Sequence, residues 1–204
     1  MYCFIKDMTV EIDNNIFNSF TNSLEKFLKE LSKPGQSLDH YTKNRNAKPG
    51  KVRKDNYYGK YGELITSVGL SKFFNLSLPL PDFEIRRGKN KGWNIDINNN
   101  DIAIHVKTCP GTTYKNYGDY SWVFQNEDVI FKSGGKELCS LVYVEDIKLN
   151  YGIIKAVLPF NIICQYLKPM IRSEHKESKV AVYYEDLLKD KDKILEKLCE
   201  DIVV

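Results

Sequence analysis

No stretch of this 204-residue chain approaches the run of apolar residues needed to span a bilayer. The opening MYCFIKDMTVEID also lacks the basic-then-apolar layout of a secretory signal, so a cytoplasmic location is expected, or a nuclear one in a eukaryotic host. Cysteine is sparse. Cys3, Cys109, Cys139, Cys164 and Cys199 form no CxxC pair and have no histidine at zinc-finger spacing, which points to reduced, buried thiols rather than a zinc site or a disulfide framework. The phosphate-binding signatures GxxxxGK[ST] and GxGxxG are missing, and the glycine pair in Lys132-Ser133-Gly134-Gly135-Lys136 is too short to cradle a nucleotide; no organic cofactor is expected. The three histidines lie in unrelated contexts with no nucleophile elbow, which gives no support to a Ser-His-Asp hydrolase. There is no internal repeat.

What is present is a marked charge asymmetry behind a net charge of only +3. Residues 43–60 carry seven basic side chains (Lys43, Arg45, Lys48, Lys51, Arg53, Lys54 and Lys60) against one acid, Asp55. Arg86, Arg87, Lys89 and Lys91 form a second basic segment. The two segments net +6 and +4, so the remainder of the chain is acidic, near −7. Basic charge concentrated this way suits a polyanionic partner, because each phosphate contact releases condensed counterions. Tyr57, Tyr58 and Tyr61 adjoin the first cluster and fit either stacking on nucleic acid or a helix core.

The apolar spacing predicts an amphipathic helix over 12–31, ended by Ser32-Lys33-Pro34-Gly35, then a polar basic loop or arm over 36–56, and a second helix over 59–74 with Glu63 near its first turn. Residues 93–108 read as a β-hairpin: Trp93, Ile95, Ile97, Ile102, Ile104 and Val106 form a core face, and Asn94, Asp96, His105 and Lys107 a polar face. The Asn98–Asp101 run supplies the turn. A loop over 109–120, a strand- or helix-like segment over 121–131, strands at 138–144 and 152–158, a helix over 159–170, a strand at 180–184 and a helix over 187–198 complete the reading. The order implies an α/β chain with a mixed sheet flanked by helices, and one domain over 1–204. Residues 1–58 are expected to form an N-terminal helical addition with its basic arm, and 59–204 the core.

Glu63 in an early helix, Asp96 on one strand and His105-Val106-Lys107 on the next resemble the PD-(D/E)XK nuclease superfamily. The phrase Gly59-Lys60-Tyr61-Gly62-Glu63 is similar to the glycine-flanked glutamate that often precedes the superfamily's site. The resemblance covers about residues 59–125 and implies a restriction-endonuclease-like core that hydrolyses phosphodiester bonds in DNA with Mg²⁺ or Mn²⁺. It makes Asp96 the leading metal ligand, with Glu63 completing the shell directly or through water and the Val106 carbonyl as backbone ligand. Lys107 is expected to orient or deprotonate the attacking water. Gln125 in Ser121-Trp122-Val123-Phe124-Gln125 matches a glutamine near the site in several members, where it holds a metal-bound water or a phosphate oxygen. The basic residues of both segments are expected to grip the DNA backbone, and a homodimer is the simplest way to cut two strands.

One residue departs from the pattern. His105 stands where the superfamily has Asp or Glu. Imidazole is a poor ligand for Mg²⁺ and a better one for Mn²⁺, so His105 either shares the water-positioning task, contacts the phosphate, or marks a nuclease fold that binds without cutting. Asp82, in a literal Pro81-Asp82 pair, competes with Asp96 for the acidic role. Asp96 is preferred because it directly precedes the turn into the lysine strand. Glu84 and Asp101 are weaker candidates.

Overall fold

Alternating apolar residues in the central strands bury both faces of one sheet, and this determines where everything else packs. The structure is a computed structural model, and it describes residues 3–33, 49–84, 95–99, 102–126, 131, 137–170 and 179–200. The described elements are β1 (Phe4–Glu11), α1 (Asn14–Leu31), α2 (Pro49–Phe74), β2 (Ile97–Asn98), β3 (Ala103–Pro110), α3 (Gly111–Tyr117), β4 (Ser121–Gln125), β5 (Leu138–Val144), β6 (Tyr151–Pro159), α4 (Phe160–Gln165), β7 (Lys168–Pro169), β8 (Lys179–Tyr183), α5 (Tyr184–Lys189) and α6 (Lys191–Glu200).

A five-stranded mixed sheet runs in the order β1-β6-β5-β3-β2, and a three-stranded sheet in the order β4-β8-β7. In the larger sheet only β3 and β5 are parallel; the other neighbours are antiparallel. Val142 and Val144 of β5 face a core shared with Leu24 and Leu28 of α1 and Tyr61, Leu64 and Ile65 of α2. The alternate residues Cys139, Leu141 and Tyr143 face a second core with Trp122 and Phe124 of β4, Val182 of β8 and Phe160 of α4. The sheet therefore separates a helical layer from a layer made of the small sheet and the C-terminal helices. No helix among the described residues is long and apolar enough to cross a membrane.

The N-terminal region differs from expectation. β1 pairs with β6 and completes the sheet, so residues 4–31 belong to the core fold rather than to an appended helix. Its alternation is interrupted at Lys6-Asp7, where the register shifts between Ile5 and Met8. The same irregularity in β6 turns Lys155 inward. Only 4% exposed, Lys155 pairs with Asp7 at 2.7 Å and lies over the rings of Tyr120, at 4.0 Å, and Tyr184, at 4.8 Å, tying the large sheet to the flanks of β4 and β8. α1 begins where Asp13 Oδ1 accepts the Asn15 amide at 2.8 Å, a side-chain N-cap.

α2 starts at Pro49, ten residues before the predicted Gly59, so the end of the expected basic loop is helix. Pro49-Gly50 reads as a breaker, yet proline is well suited to a first helical turn, and Val52 and Tyr58 are buried once the helix extends back to it. The predicted helix over 159–170 is the shorter α4 followed by β7, and the helix over 187–198 is divided into α5 and α6 at Asp190. Within the expected loop 109–120 lies α3, closed by Gly118 at φ 71°, a left-handed position that suits glycine.

Candidate active site at the fork between two strands

β2 pairs with β3 for only two steps, Ile97 with Ile104 and Asn98 with Ala103, across a turn in which Asn99 Oδ1 accepts the Ile102 amide at 2.8 Å. Beyond Ile97 the strands part. The Asp96 carboxylate takes the place of the next rung: its Oδ2 accepts the Val106 amide at 2.7 Å. The amide and carbonyl of one strand residue project to the same side, so the Val106 carbonyl is directed to this same edge.

Glu63 reaches the fork because α2 lies unusually close to β3. A Cβ at Gly62 would stand 2.0 Å from Thr108 Oγ1 and 3.3 Å from Val106 Cγ1, so only glycine permits this approach. Thr108 Oγ1 is buried there without a hydrogen-bond partner among the described residues. The next residue, Glu63, is only 6% exposed, and Lys60 Nζ donates to its Oε2 at 2.8 Å. Burial pushes the Glu63 carboxyl up to about 8; Lys60 pulls it down, while the negative charges of Asp96 and, more weakly, Asp82 push it further up.

Asp96 is raised as well, first by the density of protein around its carboxyl, and is drawn back by the Val106 amide, His105, Lys107 and Lys60 in that order. The residue has an exposed side, and water reaching it blunts the rise. Asp96 thus acts on Glu63 across the fork, Lys60 acts on both carboxyls, and Lys107 acts on Asp96. Asp82, whose Oδ1 accepts the Glu84 amide at 2.7 Å, also lies within electrostatic reach of Glu63, though it acts less strongly than Asp96.

The expected polar face of the hairpin is not a solvent face. Ile104, Val106 and Thr108 of β3 look toward α2, while His105, Lys107 and Cys109 look toward the small sheet, and no residue of β3 is fully exposed. Lys107 Nζ stands 4.9 Å above the Phe124 ring. Asp96, at the sheet edge, feels charges from both sides: Lys60 from the helical side, His105 and Lys107 from the other.

His105 Nε2 lies 2.8 Å from Glu137 Oε2, a partner that sequence reasoning missed. Glu137 is drawn in by the parallel register of β3 with β5, a pairing that no local pattern announces. Gln125 pairs in register with Lys179 and alternates with Phe124, so it lies on the face of β4 opposite the ring beneath Lys107. Of the expected backbone-gripping residues, Lys51, Arg53, Lys54 and Lys60 lie on α2. Arg53 is paired with Glu25 of α1, and Lys54 lies 5.7 Å from the Tyr58 ring. Tyr58 and Tyr61 are core residues. Lys43, Arg45, Lys48, Arg86, Arg87, Lys89 and Lys91, with Trp93, Asn94 and Asp101, lie outside the described residues.

No family model, characterised protein or solved structure matches this chain. Among the described residues, no group of three or more His, Cys, Asp or Glu side chains is arranged to hold a metal ion. The oxygen donors at the fork are two carboxylates and the Val106 carbonyl. That set fits a hard divalent cation that retains several of its waters, and a cation would relieve the repulsion that helps to raise Glu63.

Proposed function

We propose that this protein is a metal-dependent DNA endonuclease with a restriction-endonuclease-like core, acting in the cytoplasm. The observation that carries this reading is the electrostatic contact of Glu63 with Asp96 at the parting of β2 and β3, with Lys60 acting on both carboxyls and Lys107 on Asp96. Asp96, Glu63 and the Val106 carbonyl would hold Mg²⁺ or Mn²⁺. When bound, the cation neutralises charge on the phosphate being cleaved.

The chain's own residues supply the rest. Asp96, anchored by the Val106 amide, has a defined orientation before any ligand arrives. Lys107, set over Phe124, orients the attacking water and favours its deprotonation by proximity of positive charge. Lys60, whose Nζ donates to Glu63 Oε2 at 2.8 Å, keeps a positive charge beside a carboxyl that would hold the cation. The basic residues of α2 are assigned to the DNA backbone.

Purified protein incubated with supercoiled plasmid, linear duplex, single-stranded DNA and matched RNA, each with Mg²⁺ or Mn²⁺, tests the proposal. Nicking or linearisation of the plasmid that stops on chelation is expected; inert DNA with every cation, or cutting of RNA alone, contradicts it. The Lys60–Glu63 ion pair favours one other reading, a nuclease fold that binds nucleic acid or protein without cutting, since Lys60 already satisfies a Glu63 oxygen. Calorimetric titration separates the two: that reading predicts no heat with either cation.

A further inference from the structure

Where β3 ends, the chain turns into α3, whose first residue, Gly111, presses on the turn after β5: a Cβ there would stand 2.3 Å from the Glu145 carbonyl oxygen. α3 carries two large aromatic side chains to the surface, Tyr114, 40% exposed, and Tyr117, 50% exposed. At a spacing of three they are neighbours on one helical face. The Tyr114 ring is stacked on Tyr120, with centroids 4.4 Å apart and planes inclined by 17°. Lys155 Nζ lies 4.0 Å from the Tyr120 centroid. A stacked ring and an ammonium that close do not fit on one face of Tyr120, so the order is ammonium, Tyr120, Tyr114, solvent. The inner end is fixed: Asp7 accepts from Lys155 at 2.7 Å and from the Tyr184 hydroxyl at 2.8 Å, and Tyr143 meets Tyr120 edge-on at 4.9 Å.

Two strands join this stack to the candidate site. β3 leads from Val106 to Pro110, about 13 Å of extended chain, and β4 leads back from Ser121, next to Tyr120, to Phe124 beneath Lys107. Resting on the nuclease reading, we propose that Tyr114, backed by Tyr120 and flanked by Tyr117, is a stacking platform for an unpaired base, so that the substrate is DNA with a single-stranded segment beside the point of cleavage. A ring held in place before binding loses little freedom when a ligand arrives. Every base has a π-face, so a base of any identity can become the next member of the stack. Lys115, exposed and between the two tyrosines in sequence, supplies positive charge for an adjoining phosphate.

Binding without metal tests this apart from cleavage. The probes are DNA duplexes with a short single-stranded overhang, carrying 2-aminopurine at successive overhang positions in separate probes, and the same duplex with a blunt end. The fluorescence of 2-aminopurine falls when it stacks. The wild type is expected to quench an overhang probe and to bind it more tightly than the blunt duplex. Tyr114→Ala, with its fold verified by thermal melting, is expected to lose the quenching and on the order of 10-fold in affinity for the overhang probe, and to bind the blunt duplex as the parent does. Tyr114→Phe keeps the ring and is expected to behave as the wild type. Tyr114→Leu keeps apolar bulk against Tyr120 but no π-face; it too is expected to lose the quenching, and it keeps the test open should Tyr114→Ala fail to fold.

Overhang binding by the wild type with no quenching at any position, or quenching and affinity unchanged in Tyr114→Ala or Tyr114→Leu, overturns the inference. If the wild type cuts DNA with Mg²⁺ or Mn²⁺ while these variants quench as the parent does, the platform falls and the nuclease reading stands. If the wild type neither binds the probes nor cuts DNA, both fall.

Discussion

Glu63 sits within the core side of α2 with a carboxyl raised to about 8 against an ordinary 4.5, burial being the leading cause. Between those values the folded protein holds a proton that the unfolded chain has released. The associated stability is complete below about pH 4.5 and is lost as pH rises through about 8. Glu63→Gln is expected to remove that loss, leaving the variant the more stable at pH 8.5 by up to a few kcal/mol in urea unfolding without metal, and the two proteins close at pH 5. Parallel pH profiles for the two proteins would show that Glu63 is not the source. The approach of Asp96 to Glu63 is legible in the sequence because each lies in or beside a strongly patterned element. Glu137 is not, since its approach to His105 depends on how two strands more than 30 residues apart align.

At the scale of elements, α1, β5 and β6 are legible to within about two residues because apolar periodicity dominates them. β1 is not, since its bulge at Lys6-Asp7 breaks the alternation, and the first turns of α2 are hidden behind a proline-glycine pair that ordinarily signals a loop. The contact that positions the site is α2 against β3 at Gly62. Gly62→Ala is expected to force the helix outward, costing about 1–3 kcal/mol as an overpacked interface. It should also lower cleavage by more than any loss of folded protein accounts for, because Glu63 moves with the helix. A thermal melt paired with a cleavage rate checks this; an unchanged melting temperature would mean that Thr108 yields its space without resistance. Thr108→Ala in the same background is expected to restore part of the loss, since it removes the Oγ1 that stands 2.0 Å from the added methyl.

For the whole molecule, basic side chains from two layers act on one carboxyl near the start of α2. Lys51 and Lys54 of α2 and Lys179 at the start of β8 all act on Asp55, which burial raises and they pull down. Nucleic acid laid along this region would run from the first turns of α2 toward Glu63. Lys51→Ala with Lys54→Ala is expected to flatten the dependence of log affinity on log salt by about 0.9 for each phosphate that is no longer neutralised, whereas Arg53→Ala, already paired with Glu25, should change it less. Equal slopes in all three proteins would remove α2 from the interface. One site per chain makes a two-fold pair of protomers the simplest arrangement for cutting both strands.

The central claim, that the fork between β2 and β3 performs the cleavage, is tested most directly by measuring duplex cutting and duplex binding on the same preparations of wild type, Asp96→Ala and Lys107→Ala with Mg²⁺ or Mn²⁺. Cutting by the wild type, a fall of at least about 10²-fold in both variants and DNA affinities close to the parent's are the expected result. Variants that cut as fast as the parent would contradict it.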